Sequence, residues 1–393
     1  MKILIVIGKY PNYGGTEVVT TVLANSFVKK GYAVTIASFE QTVPELSSEL
    51  DPSIVLRKLS YPVITPKNIK VLKKIILDNE IDFILNQWCL PFYVTVLCNM
   101  AIGKTNCKLI SVMHGVPDKN KRTMYFENKM KSSKNRLLIK VYEVLRRAML
   151  VFTSYNSRYV YDNSSAYVVL SKSFINTFVR FSGLKNTSKL ITIGNPLTIS
   201  DQEFGHDSSS KEKIILYVGR IDYTHKRVHR IIEVWEKMYG NYPDWKLVIV
   251  GDGPEKSNLE TYVEQNKITG VHFEGFTNKP PTAYYKKSSI LILTSDLESF
   301  GLVLTEAMSY GMVPVVYGSY TAVYDIVTDG KSGFITSMPY SEEETINKLR
   351  ELMSDENKLD AMAKEALRKS QDFSLEMVLT KWEALFSTLN NKK

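Results

Sequence analysis

LILTSDLESFGLVLTEAMSYGMVPVV, residues 291–316, is the stretch on which the fold turns. An apolar run, LILTS, stops at a polar turn. A helix-like segment follows with Glu306 among apolar neighbours, Gly311 ends it, and MVPVV reads as another buried strand. Strand, helix and strand in this order form the unit of a parallel sheet. A helix starting near Gly301 would offer free N–H groups and the positive end of its dipole to phosphate oxygens. Glu298 lies before that start and Glu306 a turn or so inside. Eight residues at helical rise span at most roughly 12 Å, comparable to the distance from the sugar to the ribose of a sugar nucleotide. One carboxylate can accept from sugar hydroxyls and the other from ribose hydroxyls, with the helix start at the diphosphate between them. The alternative is a solvent-facing glutamate. In LVLTEAM, however, a carboxylate needs a partner, because burying it alone is costly.

The same alternation runs outward in both directions. ILIVI (3–7), YAVTIAS (32–38), IDFILNQ (81–87), KLISVMHG (108–115), MLVFTSY (149–155), AYVVLS (166–171) and KLITIGNP (189–196) read as strands, with an amphipathic helix from Thr16 to Lys30. A polar stretch, TISDQEFGHDSSSKEK (198–213), reads as a linker. The alternation then restarts with IILYVGR (214–220), a helix from about Arg227 to Tyr239, KLVIVGDG (246–253), a helix through about Gln265, VHFEGF (271–276), ILILTS (290–295) and VPVVYG (313–318). Amphipathic helices over 341–369 and 374–389 close the chain. The expectation is an α/β protein with two doubly wound parallel sheets: 1–197, a linker at 198–213, and 214–375. In such sheets ligands sit beyond the carboxyl ends of the strands, so the loops there are the places to search.

Three of those loops carry chemistry. PNYGGTEVV (11–19) puts Gly14 and Gly15 ahead of a helix, where backbone can approach a phosphate, although by itself the pair is better explained by a tight strand-to-helix turn. It is neither the dinucleotide fingerprint nor a P-loop. In VGRIDYTHKRV (218–228), Arg220 and Lys226 flank a polar loop and suit a diphosphate, the first as a fork and the second as a point charge. His114 ends a strand and can donate to a sugar hydroxyl or a leaving phosphate; a purely structural histidine is the competing reading.

Composition bounds the rest. The chain has 393 residues, a net charge of +9 and 44% hydrophobic residues, enough for about two globular domains. The start, MKILIVIGKYPNYGG, runs into a turn rather than a cleavage site, and no apolar run approaches the roughly 20 residues of a membrane span. A cytoplasmic protein is expected. Cys89, Cys98 and Cys107 follow no metal-binding spacing and read as reduced core thiols. Much of the positive charge is concentrated in one segment: Lys119, Lys121, Arg122, Lys129, Lys131, Lys134, Arg136, Lys140, Arg146 and Arg147, opposed only by Asp118, Glu127 and Glu143. Aromatic and aliphatic residues are interleaved with these cations. That suits an anionic membrane surface or an anionic acceptor; a solvated basic helix face is the plainer reading. No nucleic-acid motif accompanies it, so no nucleic-acid partner is expected.

Taken together, GGTE (14–17), YVGRIDYTHKR (217–227), LVIVGDGPE (247–255), FEGFT (273–277), YYKKSSILILTS (284–295), ESFGLVLTEAMSYG (298–311) and DIVTDGKSGF (325–334) resemble the family 4 glycosyltransferases of the GT-B superfamily along nearly the whole chain. The resemblance implies two Rossmann-like domains facing across a cleft. The nucleotide-sugar donor would lie in the C-terminal domain and the acceptor in the N-terminal one, with the last helix, 376–393, packed on the latter. It also implies transfer with retention, no cofactor and no metal. By the same resemblance Glu298 lies near the donor sugar, Glu306 on the ribose, and Arg220 and Lys226 on the diphosphate. The backbone of Gly301 and Leu302 would cradle the phosphates, Gly15 would approach the donor, and His114 would lie near the transferred sugar. Gly14, Gly219, Gly251, Phe276, Ser299, Phe300 and Val303 fall in the matching motifs and join the donor-binding set. His114, Arg220, Lys226 and Glu298 form the expected catalytic set. Many members have Lys-Gly where this chain has Lys226-Arg227, so Arg227 is a candidate to share the phosphate role.

The expected activity is transfer of a hexose-type sugar from a UDP-sugar, or a GDP-sugar, to a hydroxyl of a glycan. The acceptor is expected to be lipid-linked, in cell-envelope polysaccharide synthesis, with the protein peripheral on the inner face of the membrane. The basic segment motivates the lipid part. A nucleotide-sugar epimerase of the same superfamily and a non-catalytic nucleotide-sugar-binding protein are the alternatives. A dehydrogenase is disfavoured by the missing dinucleotide fingerprint.

Overall fold

The computed structural model describes residues 1–199, 205 and 210–391, except for the side chains of Lys121 and Arg122. The chain divides into two units, one of Met1–Asn195 with Val378–Lys393 and one of Pro196–Met377.

The first unit is built on seven strands: β1 (Lys2–Lys9), β2 (Ala33–Glu40), β3 (Val55–Lys58), β4 (Phe83–Asn86), β5 (Lys108–Met113), β6 (Ala166–Val169) and β7 (Leu190–Thr192). They pair in the order β3-β2-β1-β4-β5-β6-β7, every pair parallel. Its helices are α1 (Gly15–Lys29), α2 (Pro66–Asp78), α3 (Phe92–Ile102), α4 (Lys121–Ser132), α5 (Arg136–Asp162) and α6 (Ser173–Ser182). β1 reads as an unbroken apolar run because both faces are covered: Ile3, Leu4, Ile5, Val6 and Ile7 are all buried. The strand order reverses between β1 and β4, which opens a crevice at their carboxyl ends.

The second unit carries β8 (Glu212–Val218), β9 (Lys246–Val250), β10 (Val271–Gly275), β11 (Ser288–Leu293), β12 (Val313–Tyr317) and β13 (Phe334–Thr336), in the parallel order β10-β9-β8-β11-β12-β13. Its helices are α7 (Val228–Glu236), α8 (Lys256–Gln265), α9 (Thr282–Lys287), α10 (Leu302–Ser309), α11 (Val323–Ile326), α12 (Glu342–Met353) and α13 (Glu356–Ser370). Here the switch point lies between β8 and β11. Both sheets are thus the doubly wound α/β arrangement expected from the alternation.

Several elements differ from the sequence reading. MLVFTSY (149–155) is not a strand but part of α5. Its buried residues, Thr153, Ser157, Val160 and Tyr161, recur at helical spacing, and the Asn135 side chain caps the helix far upstream by accepting from Leu137 N at 2.9 Å. The helix expected over 341–369 is two helices. Asp355 accepts from Lys358 N at 2.9 Å and starts α13 after a break at Ser354. The short strands β3 and β13 carried too few residues for a periodic signal. Within the polar stretch 198–213, residues 200–204 and 206–209 lie outside the described residues, and Glu212 and Lys213 already belong to β8. Cys89, Cys98 and Cys107 are buried and unbridged, and burial pushes each thiol up to about 12.

The last helix, α14 (Leu375–Asn391), buries Val378, Leu379, Trp382, Leu385, Phe386 and Leu389 on one face. Phe386 stacks on Phe83 with ring centroids 4.8 Å apart and meets Phe27 at 5.7 Å, so the helix closes the core of the first unit. Phe386→Ala should cost about 3–5 kcal/mol, read by urea unfolding; a loss below 1 kcal/mol would show that α14 is not part of that core.

Candidate functional site

In the second unit, the loop after β8 is organised by a carboxylate that the sequence reading passed over. Oδ1 of buried Asp222 accepts from the backbone N–H groups of Thr224, His225 and Lys226 at 3.0, 2.6 and 3.1 Å. Burial alone would raise this carboxyl, but those N–H bonds and the neighbouring cations outweigh it and the net shift is downward. An Asp two residues ahead of a Thr in a loop after a strand is the signal that could have found it. This wrapping presents Lys226, whose Nζ bonds Glu298 Oε1; Ser295 Oγ donates to the same oxygen at 2.9 Å. Arg220 is exposed and has no hydrogen bond or ion pair from its guanidinium among the described residues.

Arg227 does not share that arrangement. Its backbone is left-handed, with φ 54 and ψ 41, the conformation for which Gly is the easy residue. Its Nε donates to Asp296 Oδ2 at 2.6 Å, while Arg230 Nη1 takes Asp296 Oδ1 at 2.7 Å. The guanidinium also lies over the Tyr223 ring, 5.2 Å from its centroid. The side chain is therefore committed to Asp296 in the loop after β11 and to Tyr223 in its own loop, and the Lys226-Arg227 departure leaves Lys226 as the cation facing Glu298.

The helix start expected at Gly301 is present. Gly301 caps α10 with φ 90 and no side-chain hydrogen bond, leaving the first-turn N–H groups without a side-chain cap. Any Cβ there would be strained and would sit 3.0 Å from the Tyr320 hydroxyl. Leu302 and Val303 are half-buried in the first turn and Ser299 just precedes it. Phe300 is buried edge-on against Phe373, so it anchors the helix start rather than lining an open site. Gly219 and Gly251 serve backbone packing. A Cβ on Gly251 would lie 1.9 Å from the Gly219 carbonyl oxygen, which lets the loops after β8 and β9 run against each other. Phe276 is exposed just beyond β10.

Glu306 has the partners its burial demands, both from within the protein. Tyr285 OH donates to Oε2 at 2.9 Å, and the Thr198 hydroxyl donates to Oε1. Neither was legible from sequence, since both are remote in the chain. Burial raises the Glu306 carboxyl above the usual range, more than the two hydroxyls lower it.

In the first unit, His114 follows β5 and lines a cavity of about 490 Å³ together with Glu17, Gln87 and Trp88. Its Nε2–H donates to Gln87 Oε1, which leaves Nδ1 as the acceptor, and burial pushes the imidazole down to about 4, so it is neutral near pH 7. Gly14 is extended at the cap of α1. The Glu17 carboxylate folds back beside it, where a Gly14 Cβ would lie 2.2 Å from Oε2, and Gly15 opens the helix.

The basic segment forms α4 and α5. Lys119, Lys129, Lys131 and Lys134 are exposed; the side chains of Lys121 and Arg122 lie outside the described residues. Along α5, Leu137, Val141, Val144, Val151 and Tyr155 recur at helical spacing yet face outward, with Leu137, Val144 and Tyr155 71%, 65% and 73% exposed. No helix among the described residues is long and apolar enough to cross a membrane.

Two family models match the chain in tandem: Glycosyltransferase Family 4 over residues 13–200 and Glycosyl transferases group 1 over 199–369. The amylovoran biosynthesis glycosyltransferase AmsD of Erwinia amylovora is 25% identical over 98% of this chain and 99% of its own. The GalNAc-α-(1→4)-GalNAc-α-(1→3)-diNAcBac-PP-undecaprenol α-1,4-N-acetyl-D-galactosaminyltransferase of Campylobacter jejuni is 26% identical over 50% of this chain and 54% of its own. Among solved structures, Anabaena HepE in complex with UDP and glucose superposes with a TM-score of 0.72 at 18% identity, covering all of both chains.

The Glu306 environment has a measurable consequence. A carboxyl raised in the folded state binds its proton more tightly there than in the unfolded chain. Ionisation therefore costs stability as pH rises through the raised value, and the cost disappears at lower pH. Glu306→Gln should keep both hydroxyls paired and flatten the pH dependence of unfolding. Glu306→Ala, which strands the buried Tyr285 hydroxyl, should lose about 1–3 kcal/mol. Urea unfolding from pH 4 to 8 checks both; equal pH slopes in wild type and Glu306→Gln would contradict the assignment.

Proposed function

Because the chain belongs to the family 4 glycosyltransferases, we propose that it moves a hexose-type sugar with retention from a UDP-sugar to a hydroxyl of a lipid-linked glycan, without a metal, in cell-envelope polysaccharide synthesis. The observation that carries this reading is one loop cluster at the switch point of the second sheet. It brings together an exposed Arg220 whose guanidinium has no hydrogen bond or ion pair among the described residues, the Lys226–Glu298 pair, and the start of α10, which has no side-chain cap. Cations and free amides converging at one strand edge suit the two phosphates of a sugar nucleotide.

In this reading Arg220, Lys226 and the first amides of α10 take up the charge that develops on the diphosphate as its bond to the anomeric carbon breaks. The departing phosphate oxygen accepts the proton of the incoming hydroxyl, and that hydroxyl's oxygen bonds to the anomeric carbon on the same face. Glu298 holds sugar hydroxyls and Glu306 the ribose. Lys226 is already paired with Glu298, so a bound donor would exchange part of that pair for phosphate contacts. His114, neutral and oriented by Gln87, offers a hydrogen bond to the transferred sugar. The choice of UDP is supported by the UDP complex of HepE, and a lipid-linked glycan by the named substrate of the Campylobacter enzyme.

The donor half is tested by thermal stabilisation and slow hydrolysis across UDP- and GDP-sugars, with product anomers read by NMR. One donor should stabilise the protein. Lys226→Ala should lower kcat about 10²–10³-fold, with activity undiminished by EDTA. Inverted product would refute the retaining step.

The outward apolar stripe of α5, flanked by exposed lysines, fits the headgroup layer of an anionic membrane on the cytoplasmic face. Its apolar residues from Leu137 to Tyr155 extend about 27 Å along the helix axis. Flotation with vesicles containing phosphatidylglycerol should carry the protein at low salt, weaken as salt rises, and fail for the double variant Leu137→Asp, Val144→Asp. Equal flotation of wild type and variant would remove the membrane from the proposal.

A further inference from the structure

We propose that Gln87 and Glu17 read the hydroxyl groups of an uncharged sugar ring held in the cavity of the first unit, the ring that receives the transferred sugar. This rests on the glycosyltransferase reading above and names residues and a ligand class within it.

Gln87 follows β4 at the switch point of its sheet and is only 4% exposed. Its Oε1 is used by His114, but its Nε2 is buried with no partner. A buried amide donor left unpaired is expensive, and native proteins rarely keep one without a use. This one belongs to a residue lining a cavity whose volume is in the range of small-molecule sites. The same cavity is lined by Glu17, whose carboxyl is raised by burial and has no side-chain partner among the described residues. An amide that can only donate and a carboxylate that accepts are the complement of sugar hydroxyls, which do both. Trp88 adds an aromatic wall; it packs so closely on Gly8 that a Cβ there would be 2.9 Å from its ring.

Charge selects among sugars. Lys9 also lines the cavity but is bound to Glu40 at 2.6 Å, and Glu17 is the acidic side chain on the lining. A neutral ring brings no charge against it, whereas the carboxylate of a uronic acid would face the partly desolvated Glu17 and be disfavoured.

The test uses the full-length protein with UDP-glucose, UDP-galactose and UDP-N-acetylglucosamine as donors. Octyl β-glucoside, β-galactoside, β-N-acetylglucosaminide and β-glucuronide serve as acceptor probes, with transfer and donor hydrolysis both read by mass spectrometry. Wild type should transfer to a neutral glycoside at least tenfold better than to the glucuronide. Gln87→Leu and Glu17→Gln should each raise the KM for that glycoside at least tenfold and lower the ratio of transfer to hydrolysis; kcat should change less than threefold in Glu17→Gln, whereas Gln87→Leu also releases His114 and should lower kcat as well. Gln87→Glu keeps an acceptor for His114 but loses the donor, so it should show the same KM defect. Glu17→Gln should also narrow the discrimination against the glucuronide.

Wild-type KM in the variants, a defect in kcat alone, or preference for the glucuronide would overturn the proposal. So would donor hydrolysis in wild type with no transfer to any neutral probe, while leaving the transferase reading standing. Neither hydrolysis nor transfer with any donor would overturn the reading beneath it. Melting temperatures establish that the variants fold. A crystal of wild type soaked with the preferred glycoside should place a sugar oxygen within hydrogen-bond distance of Gln87 Nε2; a water there, with the ring elsewhere, would also overturn it.

Discussion

Every strand in both sheets runs parallel to its neighbours, and much of the organisation of the molecule follows from that constraint. A parallel strand cannot be reached by a tight hairpin. Each crossover must return the chain to the starting edge of the sheet, which sends the loops that follow the strands to the opposite edge. Burial of both faces uses up the strand side chains for packing, as in β1 and β11. Polar chemistry is therefore left to the loops beyond the carboxyl ends, and it concentrates where the strand order reverses. Arg220, Lys226, Glu298 and Gly301 follow β8 and β11 in one unit. Glu17, Gln87 and His114 follow β1, β4 and β5 in the other. The glycines at these loop ends serve the same constraint: Gly251 lets two adjacent loops touch backbone to backbone.

Electrostatics in the second unit works by commitment. Asp296 occupies Arg227 and Arg230, and Asp222 spends its carboxylate on three backbone N–H groups. Among the described residues the Arg220 guanidinium has no hydrogen bond or ion pair, and Lys226 has a partner, Glu298, that is itself a candidate ligand group. A left-handed Arg227 carries a backbone cost of about 1–2 kcal/mol, set against an ion pair and a stacked ring. Glu306 is the costlier case. It is a buried carboxylate satisfied by two hydroxyls but by no cation, the kind of group that proteins keep where function needs it.

Exposure in the first unit carries the complementary message. Its core is closed by α14 through Phe386, Phe83 and Phe27, while Leu137, Val144 and Tyr155 of α5 lie outside that core. A helix that leaves Leu137, Val144 and Tyr155 in water forgoes burial worth about 1.5–3 kcal/mol for a side chain such as Leu or Val. That pattern, beside exposed lysines, is the observation on which the proposed membrane contact rests.

The sequence by itself determined the alternation of strand and helix, the two sheets, the helix start at Gly301 and the cluster of loops that carries Arg220, Lys226 and Glu298. These are legible because periodicity, glycine position and post-strand placement are local properties of the chain. It also misled in places: MLVFTSY has the composition of a strand, and only the cap at Asn135 and the packing of Val160 and Tyr161 make it helix. Tertiary structure alone decided that Glu306 is held by Thr198 and Tyr285, that Arg227 is spent on Asp296, and that Gln87 orients His114 while keeping an unpaired donor. The partners in those contacts lie 108, 21, 69 and 27 residues apart in the chain. Whether a buried charge is satisfied depends on which remote groups folding brings within about 3 Å of it, and no local pattern records that distance.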